Sequence, residues 1–218
     1  MKLKSLLFTT ILVFVCSAAA QAQHDDIYKI ESMVGYSHQR FDNGLTSNDP
    51  DIHDFFSGRT STDGVMGSVK GNLSKWVGIL GEVDYYTKSR TGTFGGSTFH
   101  ARLHDTNLMG GIELKNNLHE SPRLKPFGHV LAGLAHQNWN TSDFDDSNLS
   151  ANSFTMAFGG GLDIRVHHNV DLRVIQVDYQ PIFRNSDTFV VNPATTPPTT
   201  VTFSRQDNIR FGVGIVFH

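Results

Sequence analysis

The last stretch of the chain, residues 206–218, reads QDNIRFGVGIVFH and alternates without a break. Side chains of an extended strand point to opposite faces with period 2. Ile209, Phe211, Val213, Ile215 and Phe217 therefore share one face, and Asn208, Arg210, Gly212, Gly214 and Val216 share the other. A helix would scatter both sets around its axis. The pattern predicts a strand with one apolar and one polar face. It leaves open which face meets the interior.

Related patterns recur upstream and predict eight strands in all: about 27–41, 63–73, 76–89, 99–115, 124–139, 153–166, 170–183 and 206–218. Two of them change phase. In 99–115, Phe99, Ala101 and Leu103 are odd-numbered, whereas Leu108, Gly110, Ile112 and Leu114 are even. One extra residue near Asp105 reconciles them, as a β-bulge does. In 170–183, Asp171 and Arg173 have one parity and Gln176 and Asp178 the other. A bulge near Val174 and Ile175 would put all four inside. Segment 124–139 carries weakly polar residues on both faces, and its pattern does not orient it.

The connections alternate between long and short. Long, polar ones (42–62, 92–97, 140–152, 184–205) follow the first, third, fifth and seventh strands; short ones follow the second, fourth and sixth. Within the last long connection, VVNPATTPPTT argues for an extended exposed segment rather than a strand interior. An even strand count brings both chain ends to one side. Long loops at one end and brief turns at the other, with strands longer than the roughly 9–11 residues a tilted crossing needs, fit a closed antiparallel barrel in a membrane.

Composition narrows the choice further. Charged residues make up only 18% of the chain and many lie in the loops. A water-exposed barrel surface would be denser in Lys and Glu, which favours the apolar face pointing to lipid; a soluble lipocalin-like binder, with that face turned inward around a ligand, is the less favoured alternative. Mean hydropathy is −0.24, and beyond the N-terminus no apolar run approaches the roughly 18 residues of a spanning helix. A net charge of −3 and a pI near 6.4 give no argument for a nucleic-acid partner. Residues 1–22 read as an export signal: Lys2 and Lys4, an apolar stretch from Leu6 to Val15, and the small-x-small site Ala20-Gln21-Ala22. Cys16, the one cysteine, lies inside it and follows Val15, not the small residue a lipoprotein site needs. Residues 23–218 form the predicted mature domain, with no thiol, disulfide or cysteine-based metal site.

In the closing strand, Arg210, Gly212, Ile215 and Phe217 resemble the assembly signal of bacterial outer-membrane barrels, with His218 following the usual final aromatic. The segments GGGLDIRVHHNVDLRVIQVDYQ (159–180) and NIRFGVGIVF (208–217) extend the likeness. The predicted mature chain resembles a small eight-stranded outer-membrane β-barrel of the OmpA-like or OmpX-like superfamily, barrel domain only. The resemblance implies an all-β, antiparallel up-and-down transmembrane barrel in the cell outer membrane, with periplasmic termini. It also implies contact with outer-membrane lipids and lipopolysaccharide, insertion by the barrel-assembly machinery, a monomeric state and an extracellular partner that the Asn/Asp/Ser/Thr-rich loops do not encode legibly.

Inside such a barrel, Lys29, Lys70, Lys115, Arg165, Arg173 and Arg210 set six positive charges against seven negative ones, Glu31, Glu82, Asp84, Glu113, Asp163, Asp171 and Asp178. Isolated charges in a narrow lumen are costly, so near-balance predicts an internal ion-pair network. Eight strands enclose an interior that side chains just fill. A plugged lumen is the expectation; a narrow channel for ions or small solutes along these charges is the alternative. The aromatics read as interfacial girdles, with Trp76, Phe127 and Phe217 toward one side and Tyr36, Tyr85, Tyr86, Trp139, Phe154 and Tyr179 toward the other.

No cofactor or metal is expected. His100 and His104 lie about 13 Å apart on a strand, too far for one ion, and the His167-His168 side chains diverge in a turn. The resemblance brings in lipid A deacylases, barrels that use His, Ser and Glu near the outer rim. The nearest local match, His119-Glu120-Ser121, falls in a short turn at the other end. No spacing singles out Ser97, His100, His104 or Glu82. The expectation is a structural or surface-interaction role without catalysis; a lipid-modifying enzyme is the further alternative.

Overall fold

The computed structural model describes residues 26–42, 45–48, 59–94, 97–141, 149–184, 188–192, 197, 199–203 and 205–218. The export signal expected at 1–22, with Cys16, lies outside them, as do parts of the long connections. Among the described residues there are eleven strands: β1 (Ile30–Asp42), β2 (Leu45–Ser47), β3 (Arg59–Asn72), β4 (Val77–Phe94), β5 (Ser97–Lys115), β6 (Leu124–Thr141), β7 (Leu149–His167), β8 (Val170–Phe183), β9 (Thr188–Asn192), β10 (Thr199–Phe203) and β11 (Gln206–Phe217). Eight close into an antiparallel barrel in the order β1-β11-β8-β7-β6-β5-β4-β3. The other three make a small sheet, β2-β10-β9. That order mirrors β1-β11-β8, so the small sheet prolongs one wall of the barrel at its long-loop end.

The sequence pattern missed those three short strands. Leu45–Ser47 lies in the first long connection, and Thr188–Asn192 and Thr199–Phe203 lie in the last, where the prolines argued for extended coil. The prolines instead fall between the two strands, so the ladder never has to use them.

Which face turns inward is plain from exposure. Val65 and Leu108 are 59% and 65% exposed, whereas Arg210 and Asp163 are fully buried. The apolar face therefore points out and the polar face in, the reverse of a soluble lipocalin-like barrel. β6 also gains an orientation, with Lys125, Phe127, His129, Leu131, Ala135 and Gln137 inside.

The bulge expected in β8 is present. Leu162 pairs with Ile175 and Asp163 with Arg173, skipping Val174, and Asp171, Arg173, Gln176 and Asp178 are all buried. The bulge expected near Asp105 is absent. β5 pairs β4 and β6 in unbroken register, and Leu103, Asp105, Asn107 and Met109 all point inward. Leu103 is an apolar residue used inside the lumen, which is why its parity looked wrong. Tyr86 and Phe127 are inside too, so they do not belong to the girdles; Trp76, Tyr36, Tyr85, Phe154, Tyr179 and Phe217 are exposed on the outer surface.

Closure runs through nine paired positions between β1 and β11, from Ser32↔Phe217 to Arg40↔Ile209. Gly35 faces Gly214 at the centre of this seam. A Cβ on Gly35 would lie 2.3 Å from the Val213 carbonyl oxygen, so the backbones meet there at a distance only glycine permits. Gly71 has nothing within 4 Å of its Cβ position. Replacing Gly35 by valine is expected to cost about 1–3 kcal/mol by overpacking, whereas Gly71→Ala should stay within about 0.5 kcal/mol. Urea-dependent refolding into lipid, followed by the shift of the folded band on an unheated gel, checks both.

Candidate functional site

The lumen gathers charged residues from all eight barrel strands. Near the short-turn end, three carboxylates meet three cations. Lys70 Nζ lies 3.0 Å from Glu31 Oε1 and 2.8 Å from Glu113 Oε1. Lys115 pairs with Glu31 and lies 3.1 Å from Asp163 Oδ2. Arg173 donates from Nε to Asp163 Oδ1 at 2.9 Å and lies 3.5 Å from Glu113 Oε2. Every member has two partners of opposite sign. Asn72 donates to Glu31 at 2.9 Å, and the Lys70 ammonium also donates to Asn117 at 3.0 Å. Beside this group, Asp171 accepts from Lys125 at 2.6 Å and faces His218 Nε2 at 3.0 Å.

Further along the axis, the Arg210 guanidinium sits among three carboxylates. It lies 2.7 Å from Glu82, donates from Nε to Asp178 at 2.8 Å, and also pairs with Asp84. His129 Nε2 stands 2.9 Å from the other Asp178 oxygen. Gln176 joins the two groups, accepting from Arg173 at 2.9 Å and donating to Asp178 at 2.8 Å. Toward the long-loop end the lining becomes amide-rich around the buried Asp105: Gln39 donates to Gln180, Gln137 to Gln206, and Ser37 bonds Tyr86 at 2.7 Å. Two apolar clusters fill the remaining wall, Leu80, Met109, Leu131 and Ala157 on one side and Met33, Met66 and Val216 on the other.

Pairing is required here, because an ion taken out of water without a partner costs several kcal/mol. Arg173 adds a stacked contact, its guanidinium carbon 3.8 Å from the Phe127 ring centroid. The void among Glu31, Lys70, Glu113 and Arg173 is about 10 Å³, about enough for one water molecule.

Of the residues singled out by the sequence, Glu31, Lys70, Glu82, Asp84, Glu113, Lys115, Asp163, Asp171, Arg173, Asp178 and Arg210 all lie inside and within reach of an opposite charge. Lys29 does not. It is exposed in a bend ahead of β1, so the alternation counted back from Glu31 does not reach it. Arg165 is half-buried and turns to the short turns, donating to Ser121 Oγ at 2.6 Å. Lys125, His129 and His218 were missed. The first two sit on the strand that alternation left unoriented, although their spacing from Phe127 and Leu131 marks one face. Gly212 is buried in the wall, and Ile215 and Phe217 face outward.

The residues weighed for catalysis do not converge. Ser121 is held by Arg165, the exposed His119 ring packs on Tyr28, and His104 bonds the Tyr85 hydroxyl on the outer surface while Glu82 lies inside. The side chains of Ser97 and His100 are outside the described residues. Among the described residues, no group of three or more His, Cys, Asp or Glu is placed to hold a metal ion.

A closed antiparallel barrel with a lipid-compatible exterior and a charged, filled interior defines a transmembrane β-barrel. The chain belongs to the family of the outer membrane protein β-barrel domain, whose model matches residues 8–217. It is thus a bacterial outer-membrane barrel. Neisserial surface protein A (NspA) is similar in structure, with 13% identity, a TM-score of 0.53, and coverage of 87% of this chain and 97% of that one. OprG from Pseudomonas aeruginosa is similar too, with 10% identity, a TM-score of 0.51, and coverage of 88% and 98%. At such identities the likeness concerns the fold alone. No curated protein sequence matches.

Removing one partner from the charged interior tests its weight. Arg173→Ala strips Asp163 and Glu113 of one cation each, though Lys115 and Lys70 remain beside them. The expected loss is about 1–3 kcal/mol, below the roughly 3–5 kcal/mol of a fully broken buried pair. Val213→Ala on the outer face should cost less. Equilibrium refolding in lipid vesicles compares the two.

Proposed function

We propose that this barrel is a plugged, non-catalytic module of the cell envelope, with a structural or surface-interaction role carried by its long-loop end. The observation that carries the reading is the filled lumen: paired charges and side chains occupy the axis and leave room for about one water beside the hexad. A conducting pore needs a continuous water path, and the Arg210 and Arg173 groups stand across it. A narrow channel would require both to part.

In this reading residues 1–22 are removed on export, the domain 23–218 inserts as a monomer, and the termini and short turns face the periplasm. Arg210, Gly212, Ile215 and Phe217 serve as the signal read by the barrel-assembly machinery. The outer surface contacts lipid and lipopolysaccharide. An extracellular partner meets the end at which β2-β10-β9 prolongs the wall. The lumen charges serve as packing groups, and no side-chain set acts as a catalytic centre.

Planar-bilayer recording is the direct test. The wild-type protein is expected to show little steady conductance; a large, stable open state would replace this reading with the channel. Fractionation checks the location of the mature chain, which should require detergent for release. Recovery as a soluble periplasmic monomer would refute the membrane assignment. Incubation with lipid A should give no turnover, and sustained deacylation abolished by a His or Ser substitution would make the protein an enzyme.

A further inference from the structure

The segment ahead of β1 does something the barrel itself does not need. We infer that residues 26–29 form a strap that seals the short-turn mouth of the lumen, with the Tyr28 ring as its stopper. Tyr28 is 6% exposed although it precedes the first strand. Its ring packs on His119 and His218, each at 4.0 Å between centroids, and the His218 contact is close to parallel at 24°. Its hydroxyl donates to the His168 carbonyl at 2.5 Å, in the turn between β7 and β8. One residue thus touches the β5–β6 connection, the β7–β8 turn and the chain's last residue.

The backbone is tied down on both sides. Tyr28 N–H donates to the Asn117 carbonyl at 3.1 Å, Asn72 N–H to the Lys29 carbonyl at 2.9 Å, and the Asn72 side-chain amide to the Tyr28 carbonyl at 2.7 Å. Ile27 bridges to Leu118. The outer edge is looser: Asp26 and His119 stand 3.7 Å apart with side chains 80% and 44% exposed, and such surface pairs contribute little. Burial raises the Tyr28 phenol above its ordinary value of 10.0, which keeps the hydroxyl a neutral donor.

Behind the ring lie Lys125, whose Nζ is 5.3 Å from its centroid, and the Asp171 and His218 side chains, all buried. The strap adds no charge to the lumen network. It closes the mouth over it, so that water reaches Lys125 and Asp171 from this end only when Tyr28 leaves.

Amine labelling of the refolded full-length chain tests this. The protein in detergent micelles is treated with a water-soluble acetylating ester, and Lys125 is followed by mass spectrometry against the exposed Lys75 as internal standard. In the wild type, Lys125 should react slower than Lys75 by about tenfold or more. Tyr28→Ala should bring the two rates together, and Tyr28→Phe, which keeps the ring, should leave Lys125 protected. The folded band on an unheated gel verifies each variant; if Tyr28→Ala lacks it, Tyr28→Leu takes its place with the same expected result. Equal rates in the wild type, or continued protection in the folded Ala or Leu variant, would overturn the seal.

Discussion

Closure of the backbone ladder is the constraint on which the rest depends. In hydrocarbon an unpaired N–H or C=O costs several kcal/mol, and an open sheet would expose a row of them. The pairing of β1 with β11 removes both edges at once. That seam joins the first barrel strand to the last, and no local interaction prepares it. Its glycine pair, Gly35 and Gly214, shows how tightly the backbones approach there. Alternation of side chains then follows from the strand geometry, and the lipid decides which face is outside.

Charge pairing depends on closure in turn. Arg210 on β11 reaches Asp84 across 126 residues of sequence, and Lys115 on β5 reaches Glu31 on β1 across 84. These partners meet only when all the strands stand in place. The hexad is balanced three against three, whereas Arg210 faces three carboxylates with His129 alongside. Buried ion pairs of this kind rarely add net stability over apolar packing. Their effect here is to penalise mispaired registers, because a one-residue slip turns every inward charge to lipid.

Much of this was legible in the sequence because period 2 is a local property. β7 shows it over Phe154 to Arg165, and the parity change in β8 located a bulge that the register contains. The failures are equally local. Leu103 misled because an apolar side chain can line the lumen as well as the outer wall. Lys29 misled because alternation says nothing about where a strand begins. β6 was opaque because Phe127 and Leu131 share its inner face with Lys125 and His129, so hydropathy does not sort its two sides. The β9 and β10 strands were hidden because prolines separate them in the sequence and because their pairing extends a wall built elsewhere in the chain. Which charges meet was not legible at all, since parity gives the face and only the register gives the partner.

A filled lumen also fixes where the molecule can meet other molecules. Groups that pair with each other inside are not free to bind a guest. What remains accessible lies on the outer wall and beyond the barrel's long-loop end. On the outer wall, hydroxyls of exposed tyrosines bond polar partners: Tyr36 with Asp63 beside His38, Tyr85 with His104, and Tyr179 with Asp207 beside Arg205. An amphipathic ring with its hydroxyl held by a polar neighbour suits the boundary between hydrocarbon and headgroups. These contacts are exposed and individually weak, so they orient the barrel in its membrane more than they stabilise it. The interior sets the fold, and in the proposed reading recognition is left to the surface the fold displays.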